Sequence, residues 1–300
     1  MRSKRLFQSI AGRQWVAWIP TVWLLTFFLV PFLVVLKISL SESAIAMPPY
    51  QPIVHWLEGG LAEIRLNFGN YLFLIDDPLY LASYGESVRI ALVSTLVTLF
   101  IGYPMAHVIA MAPEPRRTLL LILVILPFWT SFLLRVYAWI AILKSNGLLN
   151  AVLLNLGLIS EPLVILQTDL AVYLGIAYTY LPFMVLPLYA ALSKLDRTLL
   201  EAAEDLGATP WVSFWTVTLP LTLPGIFAGS LLVFVPAIGE FVIPALLGGN
   251  DTLMIGKVLW NEFFANRDWP IASAVAIIML CLIVGPLMWL SRLQSRAERV

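Results

Sequence analysis

Charge is scarce in this sequence. Of its 300 residues only 12% are Asp, Glu, Lys or Arg while 60% are apolar, and the 18 acids balance the 18 bases to a formal net charge of zero. A neutral chain offers no electrostatic case for nucleic acid or any other polyanion. Cys281 is the single cysteine, which excludes an internal disulfide framework and a cysteine-based metal site. The two histidines, His55 and His107, lie in different segments and form no ligand cluster. There is also no G-x4-G-K-[ST] loop. The nearest stretch, Ile255-Gly256-Lys257-Val258, has Asp251 where the first glycine belongs and Val258 where Ser or Thr belongs. HExxH and GxSxG are missing as well, so an enzyme has no residues to stand on. What is abundant is apolar surface, with a mean hydropathy of +0.90. Together with so little charge, this describes an all-α, polytopic membrane protein.

Six spans follow from the apolar runs. Residues 1–14 carry Arg2, Lys4, Arg5 and Arg13 with no acid, ahead of a run from Trp15 to Leu36. Ala44-Ile45-Ala46 fits a signal-peptidase pattern, but the run is longer than a signal core, so it reads as a retained first span. Ser39 to Gly85 is an acidic excursion suited to the outer side, broken by Pro48-Pro49 and Asp77-Pro78. The second span is expected near Ser87–Met111, the third at Leu119–Leu143, and the fourth at Leu170–Leu192. The fifth is expected at Leu219–Leu247 and the sixth at Ile271–Leu290. Gly147 to Asp169 is a mixed segment compatible with a short helix dipping back. On this arrangement about eleven of the 18 Lys and Arg lie inside, and both termini are cytoplasmic.

The most informative stretch is Leu195–Pro220. Asp196 is suited to cap a helix and Gly207 to end it in the left-handed conformation. Between them Leu195, Leu199, Leu200, Ala203 and Leu206 share one face, while Arg197, Glu201, Glu204 and Asp205 share the other. Thr209-Pro210 restarts a second helix. A surface helix of this kind can simply lie in the headgroup region. However, Glu201-Ala202-Ala203, three residues, Gly207, nine residues, then Val217-Thr218-Leu219-Pro220 resembles the EAA loop of ABC importer permeases, departing from it only by Val217 for Ile. The resemblance implies a type I ABC importer permease fold in which this loop is the coupling helix on an ATP-hydrolysing subunit. By that likeness Glu201 makes polar contact with the ATPase, Ala202 and Ala203 permit close approach, Leu206 belongs to the docking face and Gly207 makes the turn.

Arg135 and Glu240 are the ionisable residues set well inside apolar runs, and such positions are functional candidates by default. They either pair across spans three and five or face a pore separately. Pro236, Gly239 and Pro244 around Glu240 break its helix, and exposed backbone at membrane depth is tolerated where it lines a cavity. Trp129, Tyr137, Trp139 and Tyr180 are suited to stack on an organic cation, or else to serve as interfacial belt and core. Tyr178 and Tyr180, two apart on a helix, cannot both face one pore.

The likeness extends over most of the chain, from Trp15 to Leu290. Pro127-Phe128-Trp129-Thr130-Ser131, Arg135-Val136-Tyr137-Ala138-Trp139, Gly239-Glu240-Phe241-Val242-Ile243-Pro244 and Asn266-Arg267-Asp268-Trp269-Pro270 are similar to the polyamine branch. The first permease of bacterial putrescine and spermidine importers is the nearest match, and within it the putrescine type is closer. The resemblance implies a permease in the bacterial inner membrane that pairs with a second permease, an ATPase dimer and a periplasmic substrate-binding protein. Its cargo would be a small cation, its surroundings membrane lipid, and no nucleic acid would be involved. This chain would bind no cofactor, ATP and Mg residing on the partner ATPase. Residues 1–85 would then be the N-tail, first helix and large periplasmic loop. Residues 86–291 would be the core of five transmembrane helices with its coupling loop at 195–220, and 292–300 a cytoplasmic tail. Two alternatives stay open: another cargo such as sulfate, ferric ion or thiamine, and a secondary transporter or channel built on Glu240.

Overall fold

The computed structural model describes residues 18–56 and 62–297. Helices dominate, and the chain divides into two compact units, Met1–Pro78 with Leu259–Val300, and Leu79–Val258.

In the first unit, α1 (Trp18–Ser39) is long and apolar enough to cross a membrane. A short antiparallel hairpin follows, β1 (Val54–Trp56) against β2 (Ala62–Ile64), with Val54 opposite Ile64. Helix α2 (Gly69–Asp76) is tied to the end of α1 by the buried Asn70 amide, which donates to the carbonyls of Ser39 and Ser41 at 2.9 Å each. The Ser39 hydroxyl adds a bond to the Tyr71 hydroxyl at 2.6 Å. The unit closes with α12 (Trp269–Ala297), which packs on α1 and α2. Phe263 stacks on Trp269 just ahead of that helix, with ring centroids 4.9 Å apart.

The second unit holds the remaining helices. They are α3 (Pro78–Met111), α4 (Arg116–Ile125), α5 (Phe132–Leu143) and α6 (Leu148–Asn155). After these come α7 (Asp169–Leu192), α8 (Arg197–Asp205), α9 (Pro210–Ile238), α10 (Val242–Leu247) and α11 (Ile255–Trp260). Its core is α7 against α9, with Met184, Val185, Leu188 and Val233 fully buried beside Ala106 and Ile109 of α3. The two backbones approach closely because Gly225 faces Ala191 and Gly229 faces Met184, where a Cβ would stand 2.6 Å and 2.9 Å from its neighbour. Small residues at such crossings let dispersion and backbone contacts accumulate where lipid supplies no hydrophobic drive.

Three expected spans differ from what the structure shows. The second starts at Pro78 rather than Ser87, so the outer excursion ends before Gly85. Leu119–Leu143 is not one helix: α4 gives way to a 3-10 turn at Leu126–Trp129, and Thr130 is extended. Pro127 has no N–H to continue the ladder, and the Thr130 hydroxyl donates instead to the Pro127 carbonyl at 2.7 Å. The continuous apolar stretch lies further on, at Phe132–Asn155, and it includes the short helix α6. The fifth span begins earlier than Leu219 and stops at Ile238, before Gly239 and the separate helix α10. Five helices among the described residues meet the length and hydropathy of a crossing, and α12 carries a shorter apolar stretch, Trp269–Gly285.

Candidate functional site: a capped carboxylate in an aromatic cleft

The break between α9 and α10 leaves the first N–H groups of α10 without helical partners, as any helix start does. Glu240 supplies one. Its Oε1 accepts from the N–H groups of Phe241 at 3.1 Å, Val242 at 3.0 Å and Ile243 at 3.4 Å. Its Oε2 accepts from the Tyr180 hydroxyl of α7 at 2.7 Å. A carboxylate only 8% exposed would be costly if unpaired. Here four donors and the positive end of a helix hold it. Oε1 is saturated by three donors, so the remaining acceptor capacity of the carboxylate lies on Oε2.

This carboxylate opens onto a cleft of about 440 Å³. Phe128, Phe132, Tyr180 and Phe183 give it aromatic walls, and Arg135, Thr179, Pro236, Gly239, Phe241 and Val242 complete it. Phe128 meets Phe183 edge-on at 5.2 Å, and Tyr180 lies 6.1 Å from Phe183. Arg135 and Glu240 therefore share one cleft, yet no ion pair within 4.0 Å joins them among the described residues. The guanidinium is instead held by the Pro127 carbonyl and lies over the Phe128 ring at 5.2 Å and the Phe132 ring at 6.0 Å. Its Nε is buried without a partner.

The other aromatic candidates fall elsewhere. Trp129 and Tyr137 are exposed outside the cleft lining, and Trp139 packs edge-on against Tyr178 at 5.5 Å. Tyr178 faces a different, mostly apolar recess with Pro104 and Leu181, so the two-residue offset does separate it from Tyr180. Sequence reasoning did not single out Phe128, Phe132 and Phe183 as site residues. The available signal was spacing: Phe132 sits three before Arg135, and Phe183 three after Tyr180 on one helical face.

The second site is the loop carrying α8. Asp196 caps it, accepting from the Thr198 N–H at 3.0 Å, and Gly207 ends it at φ +83°. Thr209 caps the restart at Pro210, accepting from the Val212 N–H at 3.4 Å. Nothing on α8 is buried. Glu201, Ala202 and Gly207 are exposed, Ala203 is half-buried and Leu206 is 90% exposed. An amphipathic helix whose apolar side touches so little of its own chain has a surface to offer. The two sites lie at opposite ends of α9, whose 29 residues span roughly 43 Å.

The permease protein PotB of the spermidine/putrescine transport system of Haemophilus influenzae is 41% identical over 269 residues, covering 87% of this chain and 88% of that one. PotB of Escherichia coli is 44% identical over 228 residues, covering 76% and 82%. The Escherichia coli sulfate transport system permease CysT is 31% identical over 242 residues, covering 78% and 84%. A solved bacterial ABC transporter that imports the acidic polysaccharide alginate shares the fold at TM-score 0.66 and 19% identity, covering 97% of this chain and 99% of that one. Residues 98–299 match the profile of the binding-protein-dependent transport system inner membrane component family. The profile match and these relatives show that the chain belongs to that family of inner-membrane ABC permease components.

Proposed function

We propose that this chain is a permease subunit through which an ATP-driven importer moves a polyamine, putrescine or spermidine, across the bacterial inner membrane by alternating access. The observation that carries the cargo reading is the Glu240 carboxylate, fixed by Tyr180 and the start of α10, facing an aromatic cleft. An alkylammonium group gains from a carboxylate oxygen and from ring faces together. The names carried by the PotB relatives support the same cargo. Both termini lie on the cytoplasmic side in this reading. The chain's partners would be a second permease, an ATPase dimer seated on α8, and a periplasmic binding protein. The alginate transporter has been solved with such a periplasmic protein. Hydrolysis, with its ATP and Mg, belongs to the ATPase.

Uptake of labelled putrescine and spermidine by cells lacking other polyamine importers tests this. Expression of the chain with its partner subunits should restore uptake, and Glu240→Gln should abolish most of it. A second reading draws on the unpartnered Nε of Arg135 and on the likeness to a sulfate permease. An anionic cargo would use Arg135, so Arg135→Gln would then abolish uptake of the anion and Glu240→Gln would spare it. Full polyamine uptake by the Glu240→Gln assembly would discard the polyamine reading of this cleft.

A further inference from the structure

One polar cluster in the second unit plays no part in the transport reading so far. Arg89, on α3, forks onto Glu86 with Nε 3.0 Å from Oε2 and Nη2 2.5 Å from Oε1. The same Nη2 lies 2.5 Å from Oδ2 of Asp169, the first residue of α7. Thr252, in the connector 248–254 between α10 and α11, donates its hydroxyl to Asp169 Oδ1 at 2.7 Å. Buried Ser87 accepts from the Ile255 N–H at 2.7 Å, and the Gln167 N–H donates to the Leu247 carbonyl at 2.8 Å. Three segments distant in sequence are thus fastened together at the end of α7 away from α8.

A lone exposed ion pair would count for little. This one is a network with a forked guanidinium, and Asp169 sits in the first turn of α7, where the helix dipole favours an anion. What the fastening holds is visible at Gly256, the second residue of α11. A Cβ there would stand 2.5 Å from the Gly239 carbonyl oxygen and 2.8 Å from that of Glu240. The far end of the connector therefore rests directly on the backbone break that aims the Glu240 carboxylate.

We infer that Arg89 is a positioning residue: through Asp169, Thr252 and the connector it seats Gly256 against Gly239–Glu240, and so sets the geometry of the cleft. The inference rests on the proposed function only in taking Glu240 as a pathway group. Its contacts hold for any cargo.

The test reads the cleft directly. In the assembled transporter, with Cys281→Ser as background, a cysteine introduced as Val242→Cys at the cleft wall is titrated with a soluble thiol reagent. Arg89→Gln should change the labelling rate by about fivefold or more, as linked sites do. Asp169→Asn should act in the same direction, and Arg89→Lys, which keeps the charge, should return most of the wild-type rate. Gly256→Ala, with the ion pairs intact, should shift the rate as well, and it carries the test if Arg89→Gln fails to reach the membrane. An unchanged rate in a membrane-inserted Arg89→Gln would overturn the inference whatever Gly256→Ala does, as would Arg89→Lys labelling no differently from Arg89→Gln. Labelling needs no cargo, so a coupled cleft whose Glu240→Gln variant still took up polyamine would sink the cargo reading and leave the positioning role standing.

Discussion

Under the proposed function Glu240 would combine two duties that pull on the same carboxylate. As a cap it must accept from three backbone N–H groups through Oε1, and as a cation site it must keep charge available on Oε2 beside Tyr180. Substitution separates the two. Glu240→Ala orphans the start of α10 and the Tyr180 hydroxyl, which costs about 1–3 kcal/mol and should lower the melting temperature of the purified assembly. Glu240→Gln keeps a carbonyl oxygen for the N–H groups, so its melting temperature should stay near wild type. Uptake should nevertheless fall about tenfold or more, the equivalent of the roughly 1.5 kcal/mol at the low end for a charged hydrogen bond. Equal melting losses in both variants would mean that charge matters only to the cap. The sequence made Glu240 conspicuous as a carboxylate in an apolar run. Its capping role was not legible, because it depends on where α10 begins, and that start is fixed by tertiary contacts.

At the scale of elements, glycines divide into those that permit packing and those that do not. Gly229 on α9 faces Met184, where a Cβ would stand 2.9 Å from the sulfur and 3.0 Å from the backbone carbonyl oxygen. Gly229→Val should wedge α7 from α9 and destabilise by about 1–3 kcal/mol, seen as less protein recovered in the membrane and earlier unfolding. Gly85 lies within α3 with nothing within 4 Å of a Cβ, so Gly85→Ala should be neutral or stabilising by about 0.5–1 kcal/mol. The capping geometry of the loop at 195–220 was readable almost residue by residue, since Asp196, Gly207, Thr209 and Pro210 act locally through capping and backbone preference. The third and fifth spans were less so. Hydropathy integrates over about twenty residues and cannot see that Pro127 and Thr130 break the chain, or that the helix restarted at Pro210 runs on without a break into the fifth span. The cleft lies between those extremes: its charges were visible, whereas its Phe128, Phe132 and Phe183 walls come from three segments that only the fold assembles.

For the molecule as a whole, the question under the proposed function is how an ATPase on another chain would drive this one. The coupling-type helix and the Glu240 cleft stand at opposite ends of α9, and that helix packs along α7, which carries Tyr180. Under the proposed function a push on α8 would reach the cleft through this glycine-packed helix pair. Gly207 fixes how the push is delivered, because its φ of +83° sets the angle between α8 and α9. Gly207→Ala strains that turn by about 1–2 kcal/mol without touching the cleft. Glu201→Lys reverses the charge on the exposed face of α8 and also leaves the cleft intact. In liposomes containing the full assembly, both variants should keep the chain in the membrane, leave Val242→Cys labelling unchanged in the absence of ATP, and lose most ATP-dependent uptake. Glu240→Gln should do the converse, retaining ATP hydrolysis while uptake fails. If Glu201→Lys transported normally, α8 would be a headgroup-lying helix and the driving contact would have to be sought elsewhere on the chain. If instead it lost uptake and altered cleft labelling together, the two ends of α9 would be a single site rather than a driver and a load.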